Sequence, residues 1–251
     1  MMTVATVAFC IGMLLVAGSG IFLLLILSDL RGLWTLRRLR PVPIGDARGR
    51  VALEGVTEYG TAGRQVAPVT GEDCVWWRVT LLREPARYTP SGESGPDHDV
   101  VLEIESPAWA TLTDRDHRIP VDPRLVAPSR LLFDPIMTDP QPYIVTRVEH
   151  SLAKPVPLPP LAAEAAADLR RSERLHLTEV RVPRGRQIFA LGRAGRRGLT
   201  PSRSGLTVFT QQSRAEVIAT RREDIRTGRT AILWLILIGL LLAVPSAAYL
   251  L

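Results

Sequence analysis

Cys74-Val75-Trp76-Trp77-Arg78-Val79-Thr80-Leu81-Leu82 is the strongest β run in the sequence. β-branched and aromatic side chains dominate it, and these pack well on a pleated, half-buried surface. Successive strand residues point to opposite faces. Trp76 and Trp77 are therefore expected on opposite sides, one in the core and the other at an interface or near a membrane. A nucleophilic Cys74 would need exposure and a nearby base; in this run it reads as buried and inert.

Outward from this run the β pattern continues. Arg50 to Val56 alternates and carries Gly55 near its end, a strand signal. Ala67-Pro68-Val69-Thr70-Gly71-Glu72-Asp73 reads as a turn. Val100 to Glu105 alternates, and Ala110–Asp114 with Arg118–Val121 resembles two short strands around a polar turn. Leu175 to Val182 and Gln187 to Leu191 read as strands joined through Pro183-Arg184-Gly185, and Leu206–Thr210 as one more. Between these lie a polar loop over Tyr88–Asp99, a stretch from Leu152 to Pro160 whose four prolines forbid regular structure, and an Ala-rich short helix over Leu161–Leu175. Ser213-Arg214-Ala215-Glu216 is a capping box. The helix it opens is expected to run on toward the chain end, with Gly228 its weak point.

Two long apolar stretches bracket this β-rich region. Thr3–Leu27 and Ala231–Leu251 contain no charged residue. A membrane-spanning helix needs about 20 apolar residues, so each is long enough. A cleaved signal peptide would start with a basic segment and have an apolar core of roughly 7–15 residues. Neither applies to the first stretch, which reads as an uncleaved anchor. Pro245 is tolerable near the end of a span. The expected organisation is a transmembrane helix over 3–27, a linker over 28–45, a soluble domain over 46–222 and a second transmembrane helix over 231–251. The expected fold class is mainly β, a small barrel or sandwich with short helices, flanked by two transmembrane helices.

Charge orients the chain. Arg31, Arg37, Arg38 and Arg40 follow the first apolar stretch, and Arg221, Arg222, Arg226 and Arg229 precede the second. Arginine near a span end favours the cytoplasmic side. Both stretches thus place the central domain in the cytoplasm of a multi-pass plasma-membrane protein. The net charge of +6 mostly reflects these flanks, because residues 41–220 sum to +1. That excludes a strongly basic nucleic-acid-binding domain. One basic stretch remains inside it: Arg181, Arg184, Arg186, Arg193, Arg196, Arg197 and Arg203, with no acid between them. Arg193, Arg196 and Arg197 are candidates to face anionic lipid headgroups. The competing reading is a solvated face, or pairing with Glu103, Glu105, Asp114 and Asp116. Two cysteines, Cys10 and Cys74, lie in different segments and are not expected to pair, in keeping with a reducing compartment. The predominance of Arg over Lys suggests a GC-rich bacterial genome.

Catalytic and metal signatures are sparse. Asp97-His98-Asp99 lacks a second ligand pair at zinc spacing. Asp114-Arg115-Asp116-His117 sits at a strand-to-strand turn, where such residues usually cap the turn. His150 and His176 stand alone. No phosphate-binding loop, dinucleotide fingerprint, zinc-protease helix or nucleophile elbow occurs. No cofactor or metal is expected.

Several segments, in order, resemble the GIDE family, the "beside a membrane" domain found between two membrane helices in certain E3 ubiquitin ligases of organelle membranes. Val51–Val56 is similar to its opening strand and glycine, here Gly55. Pro68, Gly71, Cys74, Trp76 and Trp77 resemble its Pro–Gly turn followed by Cys and an aromatic pair. Leu112-x-Asp114 and Val121-Asp122-Pro123 resemble its next stretch. Glu179, Pro183-x-Gly185 and Ile188–Gly192 are similar to its late hairpin. The likeness covers most of residues 48–222 and the helix plan. It implies a membrane-side binding, sensing or scaffold module. The family's RING takes roughly eight Cys and His ligands for two zinc ions. This sequence holds six such residues in all, so ligase activity is not expected to carry over. Expected partners are the bilayer, anionic headgroups and an unidentified protein. The alternative is a membrane-bound enzyme with an unfamiliar site near Asp114–His117 or Cys74.

Overall fold

The computed structural model describes residues 2–87, 97–127, 141–202 and 206–250. The 88–96 part of the expected polar loop and Arg203 lie outside the described residues. The chain divides into two units, Pro41–Gln212 and the pair of terminal segments Met1–Arg40 and Ser213–Leu251.

In the central unit, β1 (Gly49–Glu58) pairs on one edge with β6 (Ala110–Thr113) and on the other with β10 (Gln187–Gly195). β6 forms a hairpin with β7 (Arg118–Val121), β7 lies parallel to β11 (Gly198–Thr200), and β11 returns to β10. Five strands thus close into a barrel, with β12 (Val208–Thr210) added along β10. Leu53, Leu112, Val121, Ile188 and Leu199 fill its core at 0–1% exposure. Fully burying such a side chain contributes about 1.5–3 kcal/mol. The Val42 N–H donates to the Ala52 carbonyl on β1 at 3.0 Å, beside a parallel bridge between Pro41 and Ala52.

A second, antiparallel sheet has the order β5 (Asp99–Glu105), β4 (Trp76–Glu84), β9 (Arg174–Val182), β8 (Ile144–Ser151). Both of its central strands serve two cores. On β9, Val180 and Val182 join the barrel cluster, while Leu175 and Leu177 join a second cluster with Val79, Leu81, Ala162 and Leu169. On β4, Trp76 is in the first cluster and Trp77 packs against the second. The two tryptophans do take opposite faces, Trp76 fully buried and Trp77 half-buried against the second core. Burial on both faces explains why 74–82 reads as a nearly unbroken apolar run.

That run is shared between two ladders. β3 (Asp73–Cys74) pairs with β2 (Gln65–Val66), and β4 begins after Val75. The helix expected over 161–175 is shorter: a 3-10 turn at Pro160–Ala162 and an α-helix at Ala163–Ala167, with Leu175 already in β9. The helix ends at Asp168, whose carboxylate and carbonyl oxygen both accept from Arg87. A further short helix, Pro123–Val126, is capped by the Asp122 carboxylate, which accepts the Arg124 N–H at 2.9 Å.

In the terminal unit, one helix covers Met2–Arg38 and another Arg214–Leu250. Both are long and apolar enough to cross a membrane, with mean hydropathy 2.6 and 2.4 over their most apolar stretches. The linker expected over 28–45 is helical through Arg38, and residues 41–43 already belong with the barrel. The first helix continues past its apolar stretch because Ile26 and Leu33 pack against Ile225 and Ile232, and Asp29 pairs with Arg221 at 2.8 Å. At its end the Arg214 guanidinium donates to the carbonyls of Leu36, Arg37 and Leu39 at 2.8–3.2 Å. An arginine there satisfies carbonyls that no helical N–H reaches. The capping box forms as expected: Ser213 N–H reaches the Glu216 carboxylate at 2.7 Å, and Glu216 N–H reaches Ser213 Oγ at 3.3 Å.

Candidate functional site

Glu179 meets the turn that carries Pro68 and Gly71, through residues 109–110 positions earlier in the chain. Leu175, Leu177 and Glu179 share a face of β9, so Glu179 is carried into the second core and is fully buried. A buried carboxylate must find donors. Glu179 accepts the Val69 N–H at 2.7 Å, the Thr70 N–H at 3.4 Å and the Thr70 hydroxyl at 2.6 Å. These donors belong to the Pro68–Gly71 turn, which is closed by Gly71 N–H to Ala67 carbonyl and Ala67 N–H to Glu72 carbonyl, both 2.9 Å. Cys74 leaves this turn fully buried, its thiol 3.8 Å from the Gln65 carbonyl. Burial pushes the Cys74 thiol up to about 11. It is shielded and predominantly protonated at neutral pH, the opposite of an activated nucleophile.

A second clasp holds the late hairpin. Thr57, buried on β1, donates its hydroxyl to the Pro183 carbonyl at 2.8 Å and accepts the Arg186 N–H at 2.9 Å. Gly185 occupies the turn between at φ +78°, a conformation costly for other residues. Gly55 and Gly192 serve close strand approach: a Cβ there would lie 2.9 Å from the Thr113 carbonyl and 2.7 Å from the Thr200 carbonyl.

Asp114 caps the β6–β7 turn. One carboxylate oxygen accepts the N–H groups of Asp116 and His117 at 3.1 and 2.8 Å; the other accepts the Ile44 N–H at 2.8 Å. The Ile44 and His117 amides beside it hold its pKa below the ordinary carboxylate value. This is structural work, tying the turn at Ile44–Asp46 to the hairpin. The carboxylate is poorly placed to act as a base. Asp99 is likewise engaged by the Arg87 N–H at 2.8 Å and the Arg83 guanidinium at 2.9 Å. His150 faces the Val156 backbone, and His176 lies 3.0 Å from Glu84. Among the described residues no three His, Cys, Asp or Glu side chains are grouped to hold a metal.

The basic stretch does not form one face. β10 separates Arg181, Arg184 and Arg186 from Arg193, Arg196 and Arg197 along its length. Arg184 pairs with Glu58 at 2.7 Å and lies over the Tyr59 ring; Arg181 is half-buried. Arg193, Arg196 and Arg197 are exposed at the far end of the strand. Among the described residues, Glu103, Glu105, Asp114 and Asp116 form no ion pair with them.

One network escaped the sequence. Arg87 binds Asp168 and Glu173, and Glu173 also accepts the Arg170 N–H at 2.9 Å. The Arg87 guanidinium holds buried Glu173 down to about 2. Arg87 stands 81 and 86 positions from Asp168 and Glu173, a separation that leaves no local pattern.

The fold therefore defines a β-barrel domain with an attached four-stranded sheet, inserted in sequence between two long apolar helices. No known protein family, curated protein or solved structure matches the chain.

Proposed function

We propose that this chain is a multi-pass plasma-membrane protein whose GIDE-type domain acts from the cytoplasmic side as a binding, sensing or scaffold module, without the ligase chemistry of RING-bearing proteins. The binding reading rests on the ordered resemblance over residues 48–222, whose Pro68–Gly71 turn is held to β9 by the Val69 and Thr70 hydrogen bonds to the Glu179 carboxylate. These positions serve a rigid framework and leave no exposed reactive group among them. Membrane anchoring is supported by two helices long and apolar enough to cross. Their arginine-rich inner flanks support the cytoplasmic side.

The test is a topology reporter inserted in the full chain between residues 88 and 98. A reporter active only in the cytoplasm is expected to be active there. Activity solely from an export-dependent reporter at the same site overturns the orientation. Extraction of the chain by alkaline carbonate overturns the anchoring. Mild-detergent purification should retain a specific protein partner. Recovery of the chain alone, under conditions that preserve the domain's thermal transition, counts against the scaffold reading.

A further inference from the structure

The barrel brings arginines from two distant segments to one end. Arg50 on β1 stands directly opposite Arg193 on β10. Arg48 precedes β1, and Arg196 and Arg197 form the two-residue turn between the paired Gly195 and Gly198. All five are exposed. No carboxylate among the described residues lies within ion-pair distance of any of them. By contrast Arg64, Arg124, Arg174 and Arg184 each have a carboxylate within 3.4 Å. The only acid in the two stretches 41–53 and 191–202 is Asp46. Like charges directly opposite one another weaken a sheet. An uncompensated Arg–Arg pair beside an Arg–Arg turn is a surface whose charge an external anion would balance.

We infer that this end of the barrel, Arg48, Arg50, Arg193, Arg196 and Arg197, binds the phosphate headgroups of anionic phospholipids. Guanidinium groups match phosphate oxygens in a bidentate fashion. Residues 48–50 and 193–200 contain no aromatic side chain on which nucleic-acid bases would stack. The small net charge of the domain also lacks the broad basic field that steers nucleic acid. Attachment to two apolar helices keeps a lipid surface at high effective concentration. The inference rests on the proposed membrane anchoring and names its headgroup chemistry.

The experiment uses the full chain in neutral maltoside micelles doped with phosphatidylglycerol or phosphatidylcholine, with bound lipid counted by native mass spectrometry. Phosphatidylglycerol should be retained over phosphatidylcholine, less so as salt rises. In an Arg193→Ser/Arg196→Ser/Arg197→Ser variant its affinity should fall on the order of 100-fold, about fivefold per arginine near an anionic surface. Arg64→Ser/Arg124→Ser, which removes exposed but paired arginines, should bind as the parent does. The thermal transition of each variant is measured alongside, and Arg50→Ser alone supplies a milder lesion should the triple variant fail to fold. Equal phosphatidylglycerol binding by parent and variants overturns the inference. So does equal competition by free glycerol phosphate, which would mark a small-anion site, or preferential retention of a short RNA. Carbonate extraction tests anchoring separately, so lipid selectivity in micelles stands or falls independently of it.

Discussion

Replacing Glu179 with alanine removes the acceptor that organises the Pro68–Gly71 turn. Two of its interactions are short, to Val69 N–H at 2.7 Å and Thr70 Oγ1 at 2.6 Å, and the third, to Thr70 N–H, is 3.4 Å. A hydrogen bond to a charged group is worth roughly 1.5–3 kcal/mol. The loss is offset in part because Val69 and Thr70 are only half-buried and regain some water, and because a buried charge disappears. The net destabilisation is about 3 kcal/mol. For a unit the size of Pro41–Gln212, each kcal/mol moves Tm by about 2–4 °C. Glu179→Ala should therefore lower the domain transition by about 6–12 °C. Glu179→Gln keeps the shape and one acceptor, and its amide can donate to the Thr70 hydroxyl; about 1 kcal/mol is expected. The assay is thermal unfolding of the full chain in detergent, followed by tryptophan fluorescence, since Trp76 and Trp77 border the affected core. A shift under 2 °C for the alanine variant, or equal shifts for alanine and glutamine, would refute the buried-acceptor reasoning.

Three further predictions concern other parts of the molecule. Glu173 is held down to about 2, against an ordinary value near 4.3. Its stabilisation is full above the ordinary value and is lost as pH falls toward 2, so Glu173→Gln should flatten the stability profile across that window; an unchanged acid limb would contradict it. The buried Cys74 thiol, pushed up to about 11 from an ordinary value near 8.5, stabilises below the ordinary value and loses that contribution as pH rises through 11. Native protein should leave Cys74 unlabelled by a thiol reagent at pH 8 while denatured protein reacts, and rapid native labelling would show the site to be open. A Cβ at Gly12 would lie 2.6 Å from the Gly239 carbonyl and 2.8 Å from the Ala243 nitrogen. Gly12→Leu should therefore separate the terminal helices, at about 1–3 kcal/mol by the usual cost of overpacking; an unchanged dodecyl sulfate midpoint by circular dichroism would show that the close approach does not exist.

Local pattern carried much of the architecture. The strand at 50–56, the Pro183–Gly185 turn and the Ser213–Glu216 cap each depend on near neighbours, and each appears in the structure, although the strand does not alternate in burial: Val51, Ala52 and Leu53 are all buried and Val56 is exposed. The capping role of Asp114 was legible for the same reason, since two of its three donors lie within three residues. β8 carries a propensity signal in its β-branched Ile144, Val145, Thr146 and Val148 but no clear apolar alternation, because most of it is exposed on both faces, and pairing with β9 defines it.

By itself, then, the sequence determined the β-rich class, the two uncharged terminal stretches and their arginine flanks, because periodicity, turn chemistry and charge are properties of short segments. Tertiary structure alone decided that the strands close into a barrel, that 28–38 continue a helix, and that Glu179 meets the turn 109–110 residues earlier. It also decided that Arg50 and Arg193 stand face to face while Arg184 is neutralised by Glu58. These outcomes depend on register between distant strands, and register is set by which faces are buried together when the whole core assembles.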